Sequence, residues 1–356
     1  MTALHSAAAR VVPLELLTAR ELEAWHALHA ANPLLDSPYF HPGFAQAVQA
    51  SGQDVRVVVC AAGDGNVESL LAFHRHRSRM RPVGWPGADF QGPVLGAGTT
   101  VNPLGLLGGG ARSFEFDHLV EACPDFEPWI SSRRASPYLD VSGGLDGYLG
   151  RASKSGKDNM GQARRRAAKA ERELGPVRFD ADVVDAQLLD RVIEFKRAQY
   201  RATGADDYFA DARRRDLLHL LMHTRDSSFG GVLSTLHAGP HLLAAHFGMR
   251  TGNVLHWWFP VYDPDFGALS PGWILLRELV LAAPGLGITR IDLGRGDDEY
   301  KRRAKTGETI VSQGMVSGNS MLLAARHVKQ SSLAVAKASP IGSQLRTLSR
   351  ALRGRH

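Results

Sequence analysis

The 356-residue sequence lacks three features that mark special classes of protein: a long apolar run, a signal peptide and a set of cysteines. No stretch approaches the ~18–20 apolar residues that a membrane-spanning helix needs, so we expect no transmembrane segment. Residues 1–10 lack the charged start and apolar core of a secretory signal, which predicts a cytoplasmic protein. Cys60 and Cys123 have neither metal-ligand spacing nor the numbers of a disulfide framework, so no metal site is expected.

Acidic residues are missing from the C-terminal end, and their absence accounts for the net charge of +6. After Glu308 there is no Asp or Glu, whereas seven Lys and Arg residues lie between Arg326 and Arg355. Residues 1–308 carry 35 basic and 36 acidic side chains, and within them residues 151–175 have eight basic residues against three acidic ones. The chain is therefore near neutral with two basic blocks. This pattern makes a general nucleic-acid binder unlikely and predicts local attraction of phosphates or anionic lipid.

Hydrophobic periodicity predicts mixed α/β structure in the first half. Helical spacing of apolar residues indicates helices over 18–30 and 44–50, and two apolar runs around a Gly- and Asp-rich turn indicate a β-hairpin over 54–76. Residues 114–120 alternate as in a strand. The first basic block predicts a helix over 155–174, capped by Ser155 or Asp158, with an exposed basic surface that either contacts phosphates or is simply solvated.

The second half has a clearer order of elements, β-α-α-β-β-β-α-β followed by a last strand. The strands are predicted over 177–181, 231–237, 241–250, 254–262, 288–293 and 309–316. The helices are predicted over 188–200, 213–224 and 270–283. The third of these helices begins at Ser270-Pro271-Gly272, directly after the three-stranded meander. A helix start of this kind leaves backbone N–H groups uncovered and carries partial positive charge, so it suits phosphate or pyrophosphate.

The local sequences His241–Arg250, Trp257–Phe266, Ser270–Gly272, Ile291–Gly296 and Glu299–Lys301, in this order, resemble the CelD-like branch of the GNAT N-acyltransferases, which is related to the FemABX aminoacyl transferases. The resemblance is strong over 150–320 and looser over 10–145. It implies a mixed α/β fold of tandem GNAT-like units, the first degenerate, each a mostly antiparallel sheet flanked by helices. We accordingly divide the chain into a first unit over 1–150, a basic linking helix over 151–176, an acyltransferase unit over 177–325 and a basic tail over 326–356.

The resemblance implies acyl transfer from a thioester, usually acyl-CoA, to an amine. The splayed edge between the strands ending near Tyr262 and Ile291 is expected to hold the donor's pantetheine arm, and residues Ser270, Pro271, Gly272 and Trp273 its pyrophosphate. The usual Gln/Arg- and Gly-rich pyrophosphate loop of the family is replaced here by Ser270-Pro-Gly272. This departure leaves CoA, acyl carrier protein and aminoacyl-tRNA open as donors.

Several residues are candidates for proton transfer and acceptor binding. His246 and Asp292 lie in predicted strands, where each is either a base or a member of the core. The resemblance adds Lys301, with Tyr300 beside it. Arg295, flanked by two glycines, suits a phosphate or carboxylate of the acceptor. Asp89 and Trp258 are also assigned to the acceptor, although the pair Trp257-Trp258 is more typical of a core.

The leading hypothesis is a cytoplasmic, membrane-peripheral N-acyltransferase that acts on an amine of an envelope precursor, either an amino sugar of an exopolysaccharide or a long-chain amine of a lipid. A second hypothesis keeps the fold but takes the acyl group from aminoacyl-tRNA. A third is a non-catalytic sensor, for example of a cyclic dinucleotide, or a scaffold, acting through the basic tail over 331–356.

Overall fold

A mixed β-sheet runs through both halves of the chain in the computed structural model, which describes residues 8–296 and 298–323. The strands of the first half are β1 (Ala8–Pro13), β2 (Arg56–Ala61), β3 (Val67–His76), β4 (Arg79–Pro82), β5 (Val94–Leu95), β6 (Ser113–Val120) and β7 (Ile130–Asp140). Those of the second half are β8 (Val177–Asp180), β9 (Phe229–Ala238), β10 (His241–Thr251), β11 (Val254–Tyr262), β12 (Arg290–Asp292) and β13 (Gly307–Val316).

Helices cover both faces of this sheet. They are α1 (Ala19–Ala31), α2 (Pro42–Ala50), α3 (Gly144–Arg151), α4 (Lys154–Leu174), α5 (Ala186–Thr203), α6 (Ala212–His223), α7 (Pro271–Ala282) and α8 (Glu299–Ala304). Helices α5 and α6 share one apolar core with the first half, whereas α3, α4 and α7 pack in a second core on the other face. None of the helices in the described ranges combines the length and the apolar character needed to cross a membrane.

The two halves repeat one order of elements. In each, a short strand and two helices precede a three-stranded meander: β1-α1-α2-β2-β3-β4 in the first and β8-α5-α6-β9-β10-β11 in the second. Each meander then lies beside a parallel strand, β6 next to β4 and β12 next to β11. This confirms the predicted mixed α/β fold of two GNAT-like units, including the hairpin of β2 and β3.

The units exchange strands where they meet. The sheet order is β1-β2-β3-β4-β6-β13-β7-β12-β11-β10-β9-β8, so β13 of the second half lies between β6 and β7 of the first. Strand β7 in turn lies against β12. The strands of both units therefore form one continuous sheet. The division of the chain at residues 150, 176 and 325 stays a prediction.

One expectation about local structure needs correction. The basic helix begins at Lys154 and is capped by Ser153, whose side chain accepts from the Gly156 N–H at 3.1 Å, so neither Ser155 nor Asp158 is the cap. The run over 298–305 contains helix α8, in which Lys301 is buried. The predicted tail over 326–356 lies outside the described residues.

Candidate active site

A cleft opens where β11 separates from β12. The two parallel strands pair over only three residues each, 254–256 with 290–292. Strand β11 then continues to Tyr262 along β10, whereas β12 ends at Asp292. The space beside residues 257–262 is a cleft with an empty volume of about 1010 Å³ that includes its open mouth. This splayed edge is where the sequence placed the donor.

The cleft passes through the gap between the strands, because residues from both faces of the sheet line it. Gln199 of α5 comes from one face and Leu276 of α7 from the other. Tyr300 and Asp298 form a further wall. A molecule in the cleft can therefore be reached from either side of the sheet.

The N-terminus of α7 lies at the rim of the cleft. Ser270 precedes the helix in the left-handed region (φ 48°), and its side chain makes no capping hydrogen bond. Pro271 occupies the first turn, and a Cβ built on Gly272 meets no atom within 4 Å. Pro271 has no N–H, and the N–H groups of Ser270 and Trp273 donate to the carbonyls of Gly267 (2.9 Å) and Ser270 (3.0 Å). The start of α7 therefore offers chiefly the Gly272 N–H, with the positive end of the helix dipole behind it. All five residues predicted to bind the donor, Tyr262, Ser270, Pro271, Gly272 and Trp273, line this cleft.

His246 lies below the cleft floor. Its ring is fully buried and stacks on the indole of Trp257, with ring centroids 4.1 Å apart and an interplanar angle of 10°. Trp257 lines the cleft and separates the histidine from it. Burial lowers the pKa of His246 to about 3, so the ring is neutral at physiological pH. In this position His246 supports the cleft floor and does not reach a bound molecule.

Asp292 is also buried and belongs to an ion-pair chain between the halves. Arg290 Nε donates to Asp292 Oδ1 at 3.0 Å, and the same guanidinium donates twice to Asp36 at 2.6 Å. Burial raises the pKa of Asp292, although Arg290 opposes the shift. The carboxylate is 2% exposed, so this structural partnership accounts for its place in an apolar strand.

A cluster of ionisable groups sits at the apex of the splay, where His256 and Asp292 form the last pair between β11 and β12. Asp89 reaches this point from the first half, with its carboxylate 3.1 Å from His256 Nε2 and 3.2 Å from His118 Nε2. Burial opposes ionisation, but the hydrogen bond with His256 and the nearby His118 and Lys301 hold the pKa of Asp89 at about 2. Its side chain is 27% exposed, so an ionised carboxylate faces solvent at the apex.

The turn between β12 and α8 holds three more of the predicted residues. Lys301 Nζ donates to the carbonyls of Gly294 (3.3 Å) and Arg295 (3.1 Å) and lies 3.4 Å from Asp298. Gly294 is required there, because its φ is 70° and a Cβ would lie 2.4 Å from Asp89 Oδ2. Arg295 donates to the Asp117 carbonyl at 2.5 Å. Tyr300 lines the cleft, and burial raises its pKa.

Trp258 lies apart from the cleft. The indole is buried and its Nε1 donates to the Gly87 carbonyl at 2.9 Å, which ties β11 to the first half. The structure thus brings Tyr300, Lys301, Asp89 and the five donor residues around the splay, and leaves His246, Asp292 and Trp258 in the interior.

Three residues of the site had escaped the sequence analysis: His256, His118 and Lys196. Lys196 donates to the carbonyl of Pro260, a cleft-lining residue, at 3.4 Å. The one available signal was a polar residue, His256, within the otherwise apolar strand 254–262. Within the described ranges, no group of three or more His, Cys, Asp or Glu side chains is arranged to hold a metal ion.

Comparison with known proteins agrees with this geometry. Residues 157–302 match the family described as acetyltransferase (GNAT) domain. The chain resembles the crystal structure of FemX with a TM-score of 0.57 and 11% sequence identity, over 86% of this chain and 96% of that chain. It resembles a conserved protein of unknown function from Bacteroides thetaiotaomicron VPI-5482 with a TM-score of 0.52 and 12% identity, over 83% of this chain and 96% of that chain.

A third similar structure is the C-terminal domain of a putative lysylphosphatidylglycerol synthetase from Agrobacterium fabrum, with a TM-score of 0.50 and 11% identity over 89% of this chain and 97% of that chain. Comparison with curated protein sequences gave no match. At these identities the solved structures establish the fold, and the family match adds the class of activity. Residues 157–302 therefore match a GNAT acetyltransferase domain, which indicates an N-acyltransferase, and the fold of the chain resembles that of FemX.

Proposed function

We propose that this chain moves an acyl group from a CoA-type thioester to an amine of a cell-envelope precursor, either an amino sugar of an exopolysaccharide or a long-chain amine of a lipid. The observation that carries the proposal is the cleft that passes through the gap between β11 and β12, with the N-terminus of α7 at its rim. The amine and the thioester must meet at the carbonyl carbon. A cleft lined from both faces of the sheet provides room for the donor and the acceptor to meet there.

On the donor side, the pyrophosphate would bind at the start of α7, between Ser270 and Trp273, where it would meet the Gly272 N–H and the positive end of the helix dipole. The pantetheine arm would follow the edge of β11 beside residues 257–262, where β12 no longer pairs with it. Backbone N–H groups along this edge would stabilise the oxyanion of the tetrahedral intermediate.

On the acceptor side, the ionised Asp89 carboxylate at the apex suits a protonated amine. The amine must lose a proton before or during attack, so the same surface needs a group that accepts one. Arg295, next to Asp89, would face an anionic part of the acceptor.

The direct test is release of thiol from a panel of acyl-CoA thioesters of increasing chain length, in the presence of amino sugars or long-chain amines. A colorimetric thiol reagent is suitable because both cysteines of the chain, Cys60 and Cys123, are buried. We expect amine-dependent thiol release, with formation of the amide confirmed by mass spectrometry. If neither thiol nor amide forms with any pair, the CoA-type donor is the wrong assignment.

A second candidate donor is aminoacyl-tRNA, favoured by the FemX-like fold and by the exposed basic residues of α4, which include Lys157, Arg164 and Arg165. Binding of tRNA through these residues would weaken steeply as salt rises. A salt-independent affinity, or no binding, would remove this candidate. The sensor or scaffold hypothesis depends on residues 331–356, which lie outside the described residues, and deletion of that segment tests it because an enzyme keeps its cleft.

A further inference from the structure

The reaction needs a proton acceptor, and the groups first considered for this role do not meet the acceptor. His246 is separated from the cleft by Trp257, and Asp292 is engaged by Arg290. Asp89 reaches the apex, but a carboxylate with a pKa near 2 is a weak base. The phenol of Tyr300 keeps its proton because burial raises its pKa. Lys301 donates to the carbonyls of Gly294 and Arg295 and lies 3.4 Å from Asp298, so its amine is already engaged.

Lys196 lies beside the splayed edge of the sheet. It belongs to α5, a helix that shares an apolar core with the first half, and its Nζ is 3.4 Å from the carbonyl of Pro260 at that edge. One helical turn further on, Gln199 lines the cleft. Pro260 O is the one hydrogen-bond acceptor that the described residues provide for its three N–H groups.

The surroundings of Lys196 leave more of its amine neutral near physiological pH than in an ordinary lysine. Burial and the positive charge of Lys301 lower the pKa of Lys196 to about 8, and Asp298 partly opposes the shift. On its own helix, Tyr200 places its ring centroid 5.6 Å from Nζ, and Arg197 is engaged by Asp207 at 2.8 Å. A lysine in this range is partly neutral at physiological pH and returns its proton readily.

We propose that the Lys196 amine accepts the proton that the acceptor amine loses during acyl transfer. The acceptor nitrogen attacks the thioester carbon, and the new C–N bond forms as the carbonyl π electrons move to oxygen. Lys196 takes the proton from that nitrogen. When the oxyanion collapses, the C–S bond breaks, and the departing thiolate is protonated by Lys196 or by solvent. An amide and a free thiol are the products, and Lys196 is regenerated. This inference rests on the proposed acyl transfer.

Two substitutions separate proton acceptance from a role of the positive charge. Lys196→Met removes the amine, and Lys196→Arg keeps a cation that does not deprotonate. We expect both to lower kcat by about 10²–10⁴-fold, with little change in donor KM, and to abolish the rise in rate that the parent protein shows as pH approaches 8. Arg201→Met, which removes an exposed charge from the same helix, is the matched control and should keep the parent rate. Full activity in Lys196→Arg would overturn the inference, as would a rise in rate that persists in Lys196→Met.

A measurement without turnover keeps this inference separate from the proposed function. Reductive methylation with a ¹³C label allows each lysine to be titrated by NMR, and the resonance missing from Lys196→Arg identifies Lys196. We expect it to titrate well below the other lysines, at about 8. A titration near 10.5 overturns the inference even in an active enzyme. If Lys196 titrates near 8 but no donor releases thiol, the failure lies with the proposed acyl transfer.

Discussion

At the scale of single residues, His246 is packed beneath the floor of the cleft. His246 stacks on Trp257 and lies so close to Gly248 that a Cβ there would be 2.5 Å from its Nε2. The same Cβ would lie 2.1 Å from the His256 carbonyl. The glycine, the histidine and the indole therefore form one packed unit that sets the position of the cleft floor. A change in any of them is expected to alter stability before it alters proton transfer.

Stability should depend on pH through His246. Its pKa is about 3 in the folded chain against 6.5 for the free group. Between these values the unfolded chain binds a proton that the folded chain does not, so the free energy of unfolding falls as pH is lowered through this window, by up to about 1.4 kcal/mol per pH unit for one group. Replacing His246 with Phe should make the dependence shallower by up to that amount between pH 6 and 4, measured by urea denaturation.

The matched control is Phe247→Leu, a buried neighbour on the same strand that does not titrate. It should lower the free energy of unfolding equally at every pH and leave the slope unchanged. An unaltered slope in His246→Phe would contradict the assignment of His246 as a buried neutral ring.

The sequence pattern anticipated that the five predicted donor residues share one cleft, but it did not show which groups meet at the apex of the splay. Ser270-Pro271-Gly272 carries its own signal, because helix starts are local in sequence. Asp89 and His256 are 167 positions apart in the sequence, and no hydrophobic periodicity predicts a contact over that separation. Lys196 is followed by Arg197 in an amphipathic helix, where a lysine ordinarily faces water. His246 was a candidate base because strand alternation indicates which face of the sheet a residue takes. Alternation does not indicate that the indole of Trp257 covers that residue.

At the scale of elements, helix α7 distinguishes the second unit from the first. In the second half α7 lies between β11 and β12. In the first half the corresponding stretch between β4 and β6, residues 83–112, contains β5 but no α-helix. The first unit therefore lacks a helix N-terminus at the place where the second unit would bind pyrophosphate. This difference is consistent with the degenerate first unit that the family resemblance implied.

A single charge at the start of α7 should separate donor binding from stability. Because Gly272 faces open space, Gly272→Asp fits without a clash and places a carboxylate where the donor's phosphates would bind. The negative charge interacts favourably with the helix dipole, so Tm should stay level or rise. We expect the Kd of CoA to increase at least tenfold, measured by isothermal titration calorimetry.

Gly285→Asp provides the control, since it makes the same change at an exposed glycine beyond the other end of α7, also with no atom within 4 Å. It should bind CoA as the parent does. Equal affinity in both variants would place the donor phosphates elsewhere.

Elements were predicted best where their own residues carry a strong pattern of burial. Strands β9–β11 are buried almost throughout and helices α5–α7 along one face, and the structure confirms all six to within a few residues. Strand β7 was missed because Ser132, Arg133 and Arg134 are exposed near the centre of the sheet and Pro137 interrupts the segment. Its place is fixed by partners far along the chain, β13 and β12, and not by its own composition.

At the scale of the whole molecule, the exchange of strands makes the two units interdependent. Strand β7 supplies the neighbour of β12, and β13 fills the space between β6 and β7, so neither half has a complete sheet alone. The active-site cluster has the same origin, since Asp89 and His118 come from the first half and His256 and Lys301 from the second. The excess of basic residues in the chain is confined to α4 and to the end of the sequence, and it does not extend to this central junction.

This interdependence predicts that both halves unfold together. Native-state hydrogen exchange at increasing urea should show peptides of β2–β3 and of β9–β10 losing protection at one concentration, because opening either half exposes sheet edges of the other. The paired guanidinium of Arg290 and carboxylate of Asp36 join the halves with two 2.6 Å hydrogen bonds. Asp36→Asn should therefore shift both sets of peptides to lower urea by an equal amount, equivalent to about 1–3 kcal/mol.

Asp190→Asn is the appropriate control, because Asp190 is an exposed partner of His219 within the second half. It should leave the common transition nearly unchanged. If β9–β10 instead stays protected after β2–β3 has exchanged, the second unit is stable alone, and the exchanged strands do not couple the halves. The acceptor surface would then be assembled from two independently folded parts, and Asp36→Asn should weaken acceptor binding without changing the stability of the GNAT domain that carries the donor cleft.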